Sequence, residues 1–127
     1  MTDRMLLLLA ALGLVPIALS YGLVPSVTVT YLLGFPVEGT NQAHVFRAIM
    51  GLYLANAVFW LIAAGKPELQ RPALWVLFLF MVGLAAGRAL SIMLDGMPGF
   101  VLLFYLVAEL VFGVLAFVSL RRNDEIT

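Results

Sequence analysis

Five side chains able to carry charge are set in otherwise greasy sequence: His44 and Arg47 within "AHVFRAIMGLYLANAVFWLIAA", Arg88 and Asp95 within "GRALSIMLDGMP", and Glu109 within "YLVAELVFG". Two guanidiniums with two carboxylates can form an anion clamp, a proton relay or a buried ion-pair network. The histidine adds the one side chain type whose charge ordinarily changes near neutral pH. It stands without a second candidate ligand, so an interfacial hydrogen-bonding role is favoured over a metal or haem role. No cysteine is present, so no disulfide, thiolate metal site or iron–sulfur cluster is available. A catalytic nucleophile, metal set or cofactor motif is not apparent either, which favours a non-catalytic protein over an enzyme.

Those five residues need elements to hold them, and composition says what kind. Of the 127 residues, 64% are hydrophobic and 11% charged, and the mean hydropathy is +1.10. A soluble domain does not tolerate these values; a lipid bilayer requires them. Seven basic residues balance seven acidic ones, so nothing points to a nucleic-acid partner or to strong attraction by anionic headgroups.

A hydrocarbon core about 30 Å thick takes roughly 20 apolar residues per helix. Uninterrupted apolar windows fall at residues 5–24, 43–64, 73–94 and 100–120. The reading is a single all-α domain over residues 1–127, an integral membrane four-helix bundle. "DGMPG", residues 95–99, makes a tight turn between spans three and four. "GKPELQRP", residues 65–72, reads as a short exposed polar loop between spans two and three. The longest connection, an outer loop between spans one and two, contains "PSVTVTYLL", which alternates like a strand yet begins with proline and ends before Gly34 like a short helix. The helix is favoured, lying in the interface, because a lone strand at membrane depth cannot satisfy its own backbone.

Arg4, Lys66, Arg71, Arg121 and Arg122 gather at one set of span ends, and the other two loops hold no basic residue. By the positive-inside rule both termini are cytoplasmic, in a multi-pass membrane protein. The opening "MTDRMLLLLAALGLVPIALS" is expected to be a span rather than a signal peptide, since Asp3 beside Arg4 weakens a charged leader and its loss would leave an odd number of spans. "RRNDEIT" reads as a solvated tail.

At ~1.5 Å per residue from the outer ends, Arg47 lies about 6 Å down span two, Arg88 about 9 Å into span three and Glu109 about 14 Å into span four. Successive helical residues turn by about 100°. His44, Arg47 and Gly51 therefore share one face; so do Met81, Ala85, Arg88, Ser91 and Asp95, and so do Leu102, Tyr105, Glu109, Gly113 and Ala116. Small residues on those faces allow close helix approach, which points them inward, with Gly13, Pro16 and Ser20 as the matching face of span one.

An isolated charge near a helix centre costs roughly 2.5 to 3.5 kcal/mol even on the lenient insertion scale. Opposite charges are therefore expected to meet, Arg88 with Glu109 first among them. Such a pair serves either as a ligand, ion or proton site or solely to fix helix register. Arg47, close to the surface, either joins that cluster or snorkels outward. Asp95 is expected to cap a helix or turn, and Asn56, on the opposite face from Arg47, to bond another helix. Trp60 and Trp75 read as interfacial anchors.

"NQAHVFRAIMGLY", "GRALSIMLDGMP" and the glutamate of "YLVAELVFG" resemble the family of small bacterial membrane proteins described as domain of unknown function 4345. Its recurring features fall here on Arg47 and Gly51, Gly87 and Arg88, Asp95 with Gly96 and Pro98, and Glu109. A more distant similarity, of architecture alone, is to DoxX-like four-helix proteins, some of which accompany quinone-linked oxidoreductases. The resemblance implies a four-helix bundle in a bacterial inner (plasma) membrane and supplies no established activity.

The expectation is a binding or accessory subunit that takes a small amphipathic or anionic ligand, or a partner's helix, in an outward-facing pocket between spans two, three and four. His44, Arg47, Arg88, Asp95 and Glu109 form its polar cluster, and Gly51, Ser91, Tyr105 and Gly113 line it. Membrane lipid, a quinone, a partner helix of a larger complex or a second copy of the chain are the candidate occupants. The rivals are a membrane subunit of a quinone-linked or lipid-modifying enzyme, with His44 and Glu109 moving protons, and an oligomeric proton-coupled permeation path.

Overall fold

The computed structural model describes residues 1–126, with side chains through residue 123. It contains α1 (Asp3–Gly22), α2 (Pro25–Leu33), α3 (Thr40–Ala64), α4 (Pro67–Asp95) and α5 (Phe100–Ile126), and no strand among the described residues. Four of the five helices are long and apolar enough to cross a membrane; at ~1.5 Å per residue even the 20-residue α1 reaches about 30 Å.

Local chemistry explains where the helices begin and end. Thr2 caps α1, its hydroxyl accepting from the Met5 amide at 3.1 Å, with Asp3 in the first turn complementing the helix dipole. α2 starts on Pro25 and stops at Gly34, whose φ of 82° is one that glycine takes without strain. The strand alternative for this stretch is thus excluded. The Thr28 hydroxyl ties α2 to the end of α1 by donating to the Ser20 carbonyl.

One boundary differs from expectation. The polar loop over residues 65–72 shrinks to Gly65 and Lys66, because α4 begins at Pro67. Proline suits a first helical position, where its missing N–H would be unpaired anyway, and Glu68 favours the same end. The Gln70 side chain reaches back to the last carbonyl of α3, at Ala64, 3.2 Å away.

α1 packs most extensively against α3, and α4 against α5. Small residues bring α1 and α3 close: Ala10, Ala11 and Ala18 share one buried cluster with Ala57, Ala63 and Ala64, and Gly22 lies against Met50. α1 touches each of the other helices, whereas α3 and α5 lie across the diagonal from one another. The buried stripe of α1 runs through Leu7, Ala11, Leu14 and Ala18, so Gly13 and Pro16, expected inside, are exposed and Ser20 is half-buried. The outer faces of α4 and α5 present Leu79, Leu90, Val107, Leu110 and Val114. Water would not support such a belt; acyl chains do.

Trp60 is no interfacial anchor. It is fully buried, packed edge-on against Phe80 with ring centroids 5.6 Å apart, and its indole N–H finds no acceptor among the described residues. Trp75, by contrast, is 46% exposed. The tail expected over residues 121–127 lies partly outside the described residues; its described part continues α5 and grips Asp3, through Arg122 and Asn123 at 2.9 Å each.

Candidate functional site

The α4–α5 hairpin is closed by Gly96 to Gly99, with Gly96 at φ 98°, and this register sets Arg88 opposite Glu109. The Nε–H of Arg88 donates to both carboxylate oxygens, at 2.7 and 2.9 Å. Glu109 is 5% exposed, and its neighbours on the same face, Gly113 and Ala116, are buried as the periodicity requires. Gly113 packs its backbone against Met81 and Val82, where an added Cβ would lie 3.6 to 3.7 Å from their side chains.

Three tyrosines surround the ion pair. The Arg88 guanidinium carbon stands 5.8 Å from the centroid of the Tyr105 ring. The Tyr21 hydroxyl is within electrostatic and hydrogen-bonding reach of the guanidinium, and Tyr53 packs edge-on to Tyr21 with centroids 5.8 Å apart. Tyr21 and Tyr53 come from α1 and α3 and were not singled out in the sequence. The signal was available only as a tyrosine at the end of one apolar span and another in the middle of the next, which by themselves read as interface and core.

Beside this group lies a cavity of about 230 Å³. Its walls come from α1 (Ala10, Gly13, Leu14, Ile17), α4 (Met81, Leu84, Arg88) and α5, with Tyr53 as the contribution of α3. The expected pocket between spans two, three and four is therefore corrected: span one forms a wall, and span two supplies one residue. Counting ~1.5 Å per residue puts Gly13 and Glu109 near mid-depth of their helices. Exposed Gly13 and Phe104 lie on the rim, and α1 and α5 touch only thinly, so the cavity opens sideways between these two helices. A smaller cleft of about 90 Å³ is lined by Arg88, Ser91, and Gly96 and Pro98 at the hairpin turn.

The other expected members of the cluster lie elsewhere. The face of α3 that packs inward carries Phe46, Met50, Tyr53, Ala57 and Trp60, leaving His44, Arg47 and Gly51 exposed. The aromatic stack of Phe46 on Tyr21, with centroids 5.9 Å apart, fixes that rotation. Arg47 reaches the carbonyl of Gly22 at 3.3 Å, satisfying an orphan acceptor at the C-terminal end of α1. His44 makes no hydrogen bond or ion pair among the described residues, and Gly51 faces open space. Asp95 is exposed and accepts from the Ser91 hydroxyl one turn back at 2.8 Å; the end of α4 is capped instead by the Gly96 N–H bonding the Ile92 carbonyl, and Asp95 pairs with neither arginine. Asn56 bonds the Leu52 carbonyl of its own helix at 2.9 Å rather than another helix. Of the nine residues expected at the site, Arg88, Tyr105 and Glu109 share the main cavity, Ser91 lies in the adjoining cleft, and Gly113 packs beneath Glu109.

Fold and site together define a class: a four-span membrane bundle with an ion pair buried at the end of a lateral apolar cavity. The chain belongs to the family described as Domain of unknown function (DUF4345), which matches residues 2–120. No curated protein and no solved structure gives a significant match.

Proposed function

We propose that this protein is a non-catalytic binder of a small amphipathic molecule, which enters sideways from the bilayer between α1 and α5. The observation that carries the reading is the state of Arg88. Both Glu109 oxygens accept from its Nε–H, and the two terminal amino groups carry more hydrogens than the Tyr21 hydroxyl can accept, which leaves donors at the inner end of an apolar cavity. Donors facing hydrocarbon are costly unless an acceptor meets them. A ligand that places its tail among Leu14, Ile17, Leu84 and Phe112 and an acceptor oxygen at Arg88 satisfies both surfaces.

In this reading Glu109 orients the guanidinium, and Tyr53 and Tyr105 supply further hydrogen-bonding hydroxyls. The protein sits in a bacterial inner membrane with both termini cytoplasmic, and the cavity then lies in the middle of the bilayer with its cleft leading outward.

Gly13→Leu tests the idea without touching the ion pair. A Cβ added there meets nothing within 4 Å and Gly13 is part of the cavity wall, so a leucine should narrow the cavity with little strain on the bundle. Native mass spectrometry of protein extracted in mild detergent should show an amphiphile bound to the wild type and none on Gly13→Leu. Absence of any bound or re-addable amphiphile on the wild type would defeat the proposal.

A further inference from the structure

Taking the binding reading as its basis, we infer that the cavity selects an electrically neutral amphiphile bearing a carbonyl oxygen and discriminates against anionic lipids. The argument is one of charge. Arg88 and Glu109 are the ionic side chains on the cavity wall, they are in direct contact at 2.7 Å, and their charges cancel. The remaining polar groups there are tyrosine hydroxyls, which hydrogen-bond. The second expected arginine does not help: Arg47 is exposed and engaged with the end of α1, away from the wall.

A phosphate drawn into such a site brings a negative charge with no counterion and sets it beside a carboxylate that is 7% exposed. In surroundings of low dielectric that repulsion and the lost hydration are not offset. A carbonyl brings an acceptor and no net charge. It takes a charge-assisted hydrogen bond from the terminal amino groups of Arg88, while Glu109 keeps its own bond to Nε. The size agrees: about 230 Å³ holds one ring or a glyceryl ester with the first part of a chain, and the rest of the chain leaves through the gap between α1 and α5.

Two neutral sources carry that chemistry, a diacylglycerol and an isoprenoid quinone. Protein in uncharged maltoside micelles would be titrated with a diacylglycerol, with the phosphatidic acid of identical chains, and with a short-chain isoprenoid quinone, bound molecules being counted by native mass spectrometry. The wild type should bind the diacylglycerol or the quinone at least about tenfold more tightly than the phosphatidic acid, and whichever of the two binds identifies the source. Glu109→Gln, which leaves Arg88 uncompensated, should move the preference toward phosphatidic acid by a similar factor. Equal or tighter binding of phosphatidic acid by the wild type would overturn the neutral selection while leaving the binding reading intact. If none of the three binds, both fall. The wild-type comparison decides the matter by itself should Glu109→Gln not fold.

Discussion

A single nitrogen of Arg88, Nε, holds both oxygens of Glu109, at 2.7 and 2.9 Å across the α4–α5 hairpin. The arrangement locks the register of the two helices and turns the outer edge of the guanidinium toward the cavity. Removing one partner strands the other. Arg88→Leu alone should therefore cost about 3 to 5 kcal/mol, and joint replacement of Arg88 and Glu109 by leucine should return much of it. Unfolding in maltoside micelles, followed by circular dichroism, measures both. A double variant as unstable as the single one would mean that the pair is not what the bundle depends on.

Close approach of α1 and α3 carries a second expectation, at Gly22. A Cβ built there would lie 2.4 Å from the Cβ of Met50 and 2.6 Å from its Sδ. The nearer atom is fixed to the backbone, so rotation of the methionine does not relieve the clash. Gly22→Ala should destabilise the bundle by about 1 to 3 kcal/mol and weaken the Arg47 contact to the Gly22 carbonyl. The same unfolding assay reads this. An unchanged midpoint would show that the two helices pack less closely.

Much of the fold was legible because lipid imposes strong rules: span number, the hairpin turn and the proline-to-glycine helix between the first two long helices all follow from local residue type. The Arg88–Glu109 pair was legible too, from the cost of leaving either charge alone. What periodicity could not settle was rotation. On α3 the polar face of His44, Arg47 and Gly51 competes with an aromatic face of Phe46, Tyr53 and Trp60, and the aromatic face wins because it stacks on Tyr21 and Phe80. With α3 turned in that sense, α1 supplies the wall of the cavity. Small residues were likewise an ambiguous sign: the alanines of α1 mark its inner face, whereas Gly13 marks the rim.

The two tryptophans give that rotation an optical test. Trp60 is wholly buried and Trp75 is 46% exposed on the belt that faces acyl chains. In bilayers of brominated lipid, the fluorescence of Trp60→Phe, which reports Trp75, should be strongly quenched, and that of Trp75→Phe, which reports Trp60, only weakly. Equal quenching of both would place Trp60 on the lipid surface and undo the assigned face of α3.

The last expectation concerns which end faces the cytoplasm. Contacts of Asp3 with Arg122, of Arg71 with the Leu120 carbonyl and of Gln70 with the end of α3 bring the start of α1, the α3–α4 connection and the last turns of α5 to one end of the bundle. Arg4, Lys66, Arg71, Arg121 and Arg122 therefore all lie there, while Arg47 and Arg88, with His44, belong to the opposite half. Positive residues stay inside. Because the chain has no cysteine of its own, single substitutions report cleanly. Met97→Cys in the hairpin turn, where the native side chain is 71% exposed, and Glu38→Cys before α3 should react with a membrane-impermeant maleimide in intact cells. Lys66→Cys should react only after permeabilisation. The reverse pattern would invert the protein and turn the Arg88 cleft toward the cytoplasm, and labelling of all three from outside would contradict a bundle that spans the membrane.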